Sequence, residues 1–139
     1  MLTEKFRHSL DSKNRVIIPA KHRAQLGDSF MITQSVDRCL VVYSMDEWEK
    51  YTAKIALLPK NKMAAVRRFL FSNASEVTPD AQGRVILSTD LIKFAQISKN
   101  VVIVGCGTYA EIWSEERWDK LNGDDDIDEV AALMDEYEV

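Results

Sequence analysis

Histidine, cysteine and glycine are all scarce in this sequence, and each shortage removes a class of chemistry. The two histidines, His8 and His22, and the two cysteines, Cys39 and Cys106, are not spaced as zinc ligands or as a Cys–His nucleophile pair. The five glycines form no phosphate-cradling loop and no nucleophile elbow. Gly105-Cys106-Gly107 lies between two strand-like runs and reads as a hairpin turn. Two cysteines far apart in the chain, each beside apolar residues, make no disulfide framework and read as buried thiols. Apolar runs such as Val101-Val102-Ile103-Val104 fall far short of the roughly 18–20 residues that span a bilayer. The first eight residues lack the apolar stretch of a signal peptide, so a cytoplasmic location is expected. These absences argue against an enzyme, and no metal, cofactor, small-molecule substrate or membrane partner is expected. The acidic run Asp124-Asp125-Asp126, with Asp128 and Glu129, lacks the spaced ligands and central glycine of a calcium loop and reads as a solvated tail.

Basic residues are scarce at one end only. Residues 111–139 carry twelve acidic groups against Arg117 and Lys120, which leaves residues 1–110 with sixteen basic against ten acidic groups. The net charge of −4 therefore hides a body of +6 and a C-terminal stretch of −10. Within the first 25 residues Lys5, Arg7, Lys13, Arg15, Lys21 and Arg23 face only Glu4 and Asp11. A basic body is compatible with a polyanion partner and equally with an ordinary solvated surface.

What the chain does have is a repeat. Asp11-Ser12-Lys13-Asn14-Arg15-Val16-Ile17-Ile18 returns as Asp80-Ala81-Gln82-Gly83-Arg84-Val85-Ile86-Leu87 at an offset of 69. Tyr43-Ser44-Met45-Asp46-Glu47-Trp48 returns as Trp113-Ser114-Glu115-Glu116-Arg117-Trp118 at an offset of 70. This is an internal duplication of a ββαββα-like unit. Strands are expected near 5–10, 15–18, 30–33, 39–43, 74–78, 84–87, 101–104 and 109–113, from β-branched runs and alternation. Helices are expected at 20–26 after Pro19, from a Ser44 or Asp46 cap through Trp48 to Leu58, and at 63–71, 90–96 and 115–121. A unit of 50–60 residues buries too little apolar surface to be comfortable alone, so the two copies are expected to interleave their strands around one core. Trp48 and Trp118 are then core anchors that close each copy.

Each repeated turn starts on an aspartate that can accept backbone N–H bonds and fix the turn. Asn14 and Gly83 supply the left-handed position that such a turn needs. The arginine four residues after the aspartate has two roles open to it. One is a structural bridge back to the carboxylate; the other is an outward five-donor fork for phosphate or guanine. Arg7, Lys13, Lys21 and Arg23 favour nucleic acid around the first copy.

Taken together, the motif from Asp11 to Arg23, the run from Arg67 to Val77 leading into Asp80 and Arg84, and the two aromatic–serine–tryptophan segments resemble the MraZ family of bacterial transcriptional regulators. The resemblance runs from about residue 3 to 121. It implies an α+β fold of two tandem AbrB-like swapped-hairpin repeats forming one pseudo-symmetric β-barrel-like core with peripheral helices. The expected division is a first repeat at 3–58, a connecting helix at 59–73, a second repeat at 74–121 and an acidic tail at 122–139. A ring-shaped homo-oligomer is implied, with double-stranded DNA as partner: repeated boxes in the promoter of the division and cell-wall gene cluster, the family's own gene included. A nucleoid-associated protein follows. Arg15 and Arg84 are implied DNA contacts, with Lys13, Asn14 and Gln82 beside them; Asp11, Asp80 and Gly83 set the turns. The sequence departs from the family pattern at Asn14, where glycine is usual, and at Ser88, where proline is expected. Ile92 also stands opposite Arg23, so the first turn is expected to carry more of the affinity. An oligomeric protein-interaction scaffold without sequence-specific DNA binding is the alternative.

Overall fold

The computed structural model describes residues 1–122 and 127–139, and the Asp124–Asp126 run lies outside the described residues. In chain order the elements are β1 (Lys5–Ser9), β2 (Arg15–Ile17), α1 (Ala20–Leu26), β3 (Phe30–Gln34), β4 (Leu40–Ser44) and α2 (Met45–Ala56). Then come α3 (Ala64–Phe71), β5 (Ser75–Val77), β6 (Arg84–Ile86), α4 (Thr89–Phe94), β7 (Asn100–Gly105), β8 (Ala110–Ser114), α5 (Glu115–Leu121) and α6 (Ile127–Glu136). Local signals set many of the boundaries. The Ser44 hydroxyl accepts from the Glu47 N–H at 3.2 Å and the Ser114 hydroxyl from the Arg117 N–H at 3.3 Å, so the duplicated serine caps α2 and α5 alike. Ser88 caps α4 in the same way at 3.2 Å, whereas Pro19 opens α1 with no side-chain cap. The serine-for-proline departure thus exchanges one way of starting a helix for another. Gly27, at φ 90°, ends α1.

The strands interleave. β1, β7, β8, β4, β3 and β5 form, in that order, an antiparallel six-stranded sheet, and β2 pairs with β6 as a separate two-stranded ribbon. Exchanging β1 with β5, β2 with β6, β3 with β7 and β4 with β8 reproduces the same order read backwards. The duplication has therefore become a pseudo-two-fold axis that passes between β4 and β8. Each copy lends its first strand to the other: β1 pairs with β7, and β5 with β3. Neither copy has a closed sheet of its own, which is how two small units come to share one core.

Ribbon and sheet enclose that core together. Val16 and Ile18 of the first copy meet Val85 and Leu87 of the second, over Phe30, Ile32, Leu40, Val42, Val101, Ile103 and Ile112 of the sheet. Each of these buried apolar side chains contributes about 1.5–3 kcal/mol. The N-terminal segment fastens the copies further, since Leu2 and Gly107 exchange backbone hydrogen bonds at 2.8 Å. Gly105 lies so close to the Leu2–Thr3 backbone that no Cβ fits there.

Three expectations need correction. Trp48 and Trp118 are half-buried outside the main core: Trp48 packs on Tyr43, Tyr51 and Phe71, and Trp118 on Trp113. Trp118 packs against a small cluster of Cys39, Val102 and Trp113, separate from the main core. Cys39 is buried but Cys106, in the hairpin between β7 and β8, is only half-buried. Burial raises both thiols, Cys106 to about 11, so neither is poised as a nucleophile. Finally, the stretch read as a plain solvated tail contains the ten-residue helix α6, none of whose residues is buried.

Candidate nucleic-acid interface

The two Asp-x-x-x-Arg turns have the same internal geometry. Asp11 Oδ1 accepts the backbone N–H groups of Lys13 and Arg15, both at 2.9 Å, and Asp80 Oδ1 accepts those of Gln82 and Arg84, also at 2.9 Å. The second carboxylate oxygen takes the arginine Nε, at 2.6 Å from Arg15 and 2.8 Å from Arg84. Asn14 at φ 58° and Gly83 at φ 78° hold the left-handed position. The two roles left open for the arginines are therefore compatible. Nε bridges to the aspartate, and the bridge orients the outer amino groups of the guanidinium, which keep their own donors. Among the described residues, only the Arg84 Nη1 comes near another carboxylate, Asp11, at 4.0 Å.

The turns hold both aspartates below the ordinary carboxylate range. The backbone hydrogen bond from Arg15, backed by its side chain and by the Lys13 N–H, lowers Asp11 to about 2. The corresponding bonds from Arg84 and Gln82 lower Asp80. Both carboxylates stay charged at neutral pH and keep the guanidinium groups in place.

The ribbon brings the two turns into one surface. In its register Arg15 stands opposite Ile86, Val16 opposite Val85, and Ile17 opposite Arg84. Val16 and Val85 point into the core, so Arg15, Ile17, Arg84 and Ile86 share the outer face. Arg15 and Arg84 are diagonal neighbours, about 7–8 Å apart in such a pair. Ile17 is 41 % and Ile86 65 % exposed between them. The backbone closes the arrangement: the Leu87 N–H donates to Asn14 O and the Ile18 N–H to Gly83 O, both at 2.9 Å. A groove of about 470 Å³ beside the ribbon is lined by Arg15, Arg84, Ile86, Asp80 and the β5 residues.

The other predicted residues are distributed differently. Lys13, Asn14 and Gln82 lie on the turns, with Lys13 and Gln82 exposed. Arg7 is instead held by Glu115 at 2.9 Å and Asp119 at 3.2 Å, both on α5. Lys21 pairs with Glu4 at 3.0 Å. Arg23 crosses to the other copy's turn: its Nε donates to Ile18 O at 2.9 Å, and its guanidinium covers Gly83. The unequal charge expected of the two turns is therefore not retained. The first has Lys13 and Arg15 against Asp11, and the second has Arg84 and Arg23 against Asp80. Strand exchange sends the extra arginine of the first copy to the second turn, and the sequence carries no sign of that. The exposed Ile17 and Ile86 also escaped the sequence reading, because a run of four aliphatics does not say which ones face out.

The fold and this site define a tandem, strand-exchanged α+β protein with a basic two-stranded ribbon. The family model of the MraZ protein matches residues 1–68 and again 70–132. The chain is 43 % identical over 139 residues to the "Transcriptional regulator MraZ" of Clostridium tetani, covering 98 % of each chain. It is 41 % identical over 143 residues to the protein of that name from Thermoanaerobacter pseudethanolicus, covering 100 % of both. To the one from Natranaerobius thermophilus it is 49 % identical over 121 residues, or 86 % of this chain and 85 % of that one. The chain belongs to the MraZ family.

Proposed function

We propose that this chain is a sequence-specific DNA-binding transcriptional regulator. The single observation that carries the reading is the outer face of the β2–β6 ribbon, where Arg15 and Arg84 are held by their own turn aspartates with Ile17 and Ile86 exposed between them. A two-stranded ribbon fits the B-DNA major groove, an arginine fork matches guanine O6 and N7 or phosphate, and an apolar side chain meets the thymine methyl. The relatives' name, transcriptional regulator, supports the same direction. The targets are repeated boxes in the promoter of the division and cell-wall cluster, including the gene for this chain. A homo-oligomeric ring presents one ribbon per subunit, so weak single contacts on spaced boxes add through effective concentration. Location at the nucleoid follows.

A gel-shift titration on the upstream region of the chain's own gene tests the proposal. Arg15→Ala and Arg84→Ala should each cost about 1–3 kcal/mol per contact, about 5- to 150-fold in affinity, with oligomer mass unchanged. Equal binding by wild type and both variants would sink it.

A further inference from the structure

We infer that Ile17 and Ile86 are specificity-determining residues, each set beside an arginine of the other copy to read the 5-methyl group of a thymine in the major groove; this rests on the DNA-binding reading above and names what its apolar half recognises. Strand periodicity decides which side chains are available. Val16 and Ile18 of the first copy and Val85 and Leu87 of the second are buried in the core, which turns the isoleucines between them outward. A single isoleucine on a surface is ordinary. Here the same outward position of both copies carries one, although threonine is as well suited to a strand and better solvated. Ile17 is 41 % and Ile86 65 % exposed, against 25 % and 27 % for the side chains of Arg15 and Arg84. The aspartate bridges account for the difference, because they draw each guanidinium back along its own turn.

The register of the ribbon builds two mixed pairs. Arg15 stands directly opposite Ile86, and Ile17 directly opposite Arg84, so each pair takes one residue from each copy. Neither copy makes such a pair by itself. Directly opposed Cβ atoms lie about 4.5–5.5 Å apart, and successive bases along a DNA strand rise about 3.4 Å. An arginine fork on a guanine therefore brings its isoleucine partner over the same base pair or the next one.

The major groove offers one good match for that isoleucine. The C5 methyl of thymine is the apolar group among the base edges there, whereas cytosine presents its N4 amino donor. An isoleucine laid over cytosine strips that donor of water and supplies no acceptor in return. Arginine thus selects guanine, and isoleucine selects a neighbouring thymine partly through what it excludes. Charge complementarity brings the duplex to this face: Lys13 is exposed on the first turn, and the Arg23 guanidinium covers Gly83 on the second.

Replacing thymine by uracil removes the methyl and leaves base pairing intact, so it isolates this contact. The upstream region of the chain's own gene is prepared as two duplexes, one with thymine and one with uracil throughout, and both are titrated by gel shift. Wild type should bind the uracil duplex at least about fourfold more weakly, the change for one methyl group left unburied, and about fifteenfold with both isoleucines of a subunit engaged. The double variant Ile17→Val, Ile86→Val should keep the discrimination. Ile17→Ser, Ile86→Ser should lose it and bind the two duplexes alike. Both positions face solvent, and the valine pair guards against a folding defect in the serine pair. Equal binding of both duplexes by wild type overturns the inference. Full discrimination by the serine pair also overturns it, since the uracil effect would then come from duplex shape. If wild type binds both duplexes equally while Arg15→Ala binds neither, the proposed function stands and this inference alone falls. No wild-type binding to either duplex would remove both.

Discussion

Gly83→Ala is the substitution whose effect the structure fixes most closely. Gly83 sits at φ 78°, where a Cβ would lie 2.7 Å from Arg23 Cζ and 2.8 Å from its Nε. Forcing alanine into the left-handed region costs about 1–2 kcal/mol. Moving the guanidinium breaks the 2.9 Å bond from Arg23 Nε to Ile18 O, worth about 1 kcal/mol once water replaces part of it at this half-buried site. The stiffer unfolded chain returns about 0.4–1 kcal/mol. The net is about 2 kcal/mol, a fall in Tm of about 6 °C for a domain of this size. Urea and thermal unfolding at fixed protein concentration measure it. In an Arg23→Ala background the steric part disappears and Gly83→Ala should cost only about 1 kcal/mol, a coupling that a double-mutant cycle isolates. An equal cost in both backgrounds would show that Arg23 does not cover Gly83, and so would remove the case for an evenly charged pair of turns. Asn14→Gly, at φ 58°, should change stability by less than about 1 kcal/mol.

Further outcomes follow from the same geometry. The carboxyl of Asp11 is lowered from 3.8 to about 2 in the folded chain, so its contribution is complete above pH 4 and is lost as pH falls towards 2. The urea midpoint should therefore drop over that window in wild type, and less in Asp11→Asn; parallel curves would argue against the turn bonds. Promoter affinity should fall steeply between 50 and 200 mM salt, roughly one power of the salt concentration for each phosphate neutralised, and a flat response would place the ribbon off the DNA. Gly105→Ala should lift the N-terminal segment, seen as faster amide exchange at Leu2 and Gly107, because the added methyl meets backbone and not a movable side chain. Retained protection at both amides would refute that packing.

The sequence by itself determined the units: the two Asp-x-x-x-Arg turns, the strand and helix types, the serine caps and the duplication, because each depends on interactions within a few residues. It also determined that Asp11 and Asp80 set their turns, since the bonds they accept lie two and four positions away. Helix α6 was hidden because its apolar stripe is diluted by acidic residues on the opposite face, in a stretch whose charge reads as a solvated tail. Which groups share a surface was left to the tertiary structure. Strand exchange sends Arg23 across to Gly83 and joins Arg15 and Arg84, 69 residues apart, on one ribbon. Arg7 and Lys21 are meanwhile committed to Glu115, Asp119 and Glu4. Charge along a chain adds up regardless of folding, but whether a cation is paired depends on which acidic group lies within a few ångströms, and only the fold sets that distance.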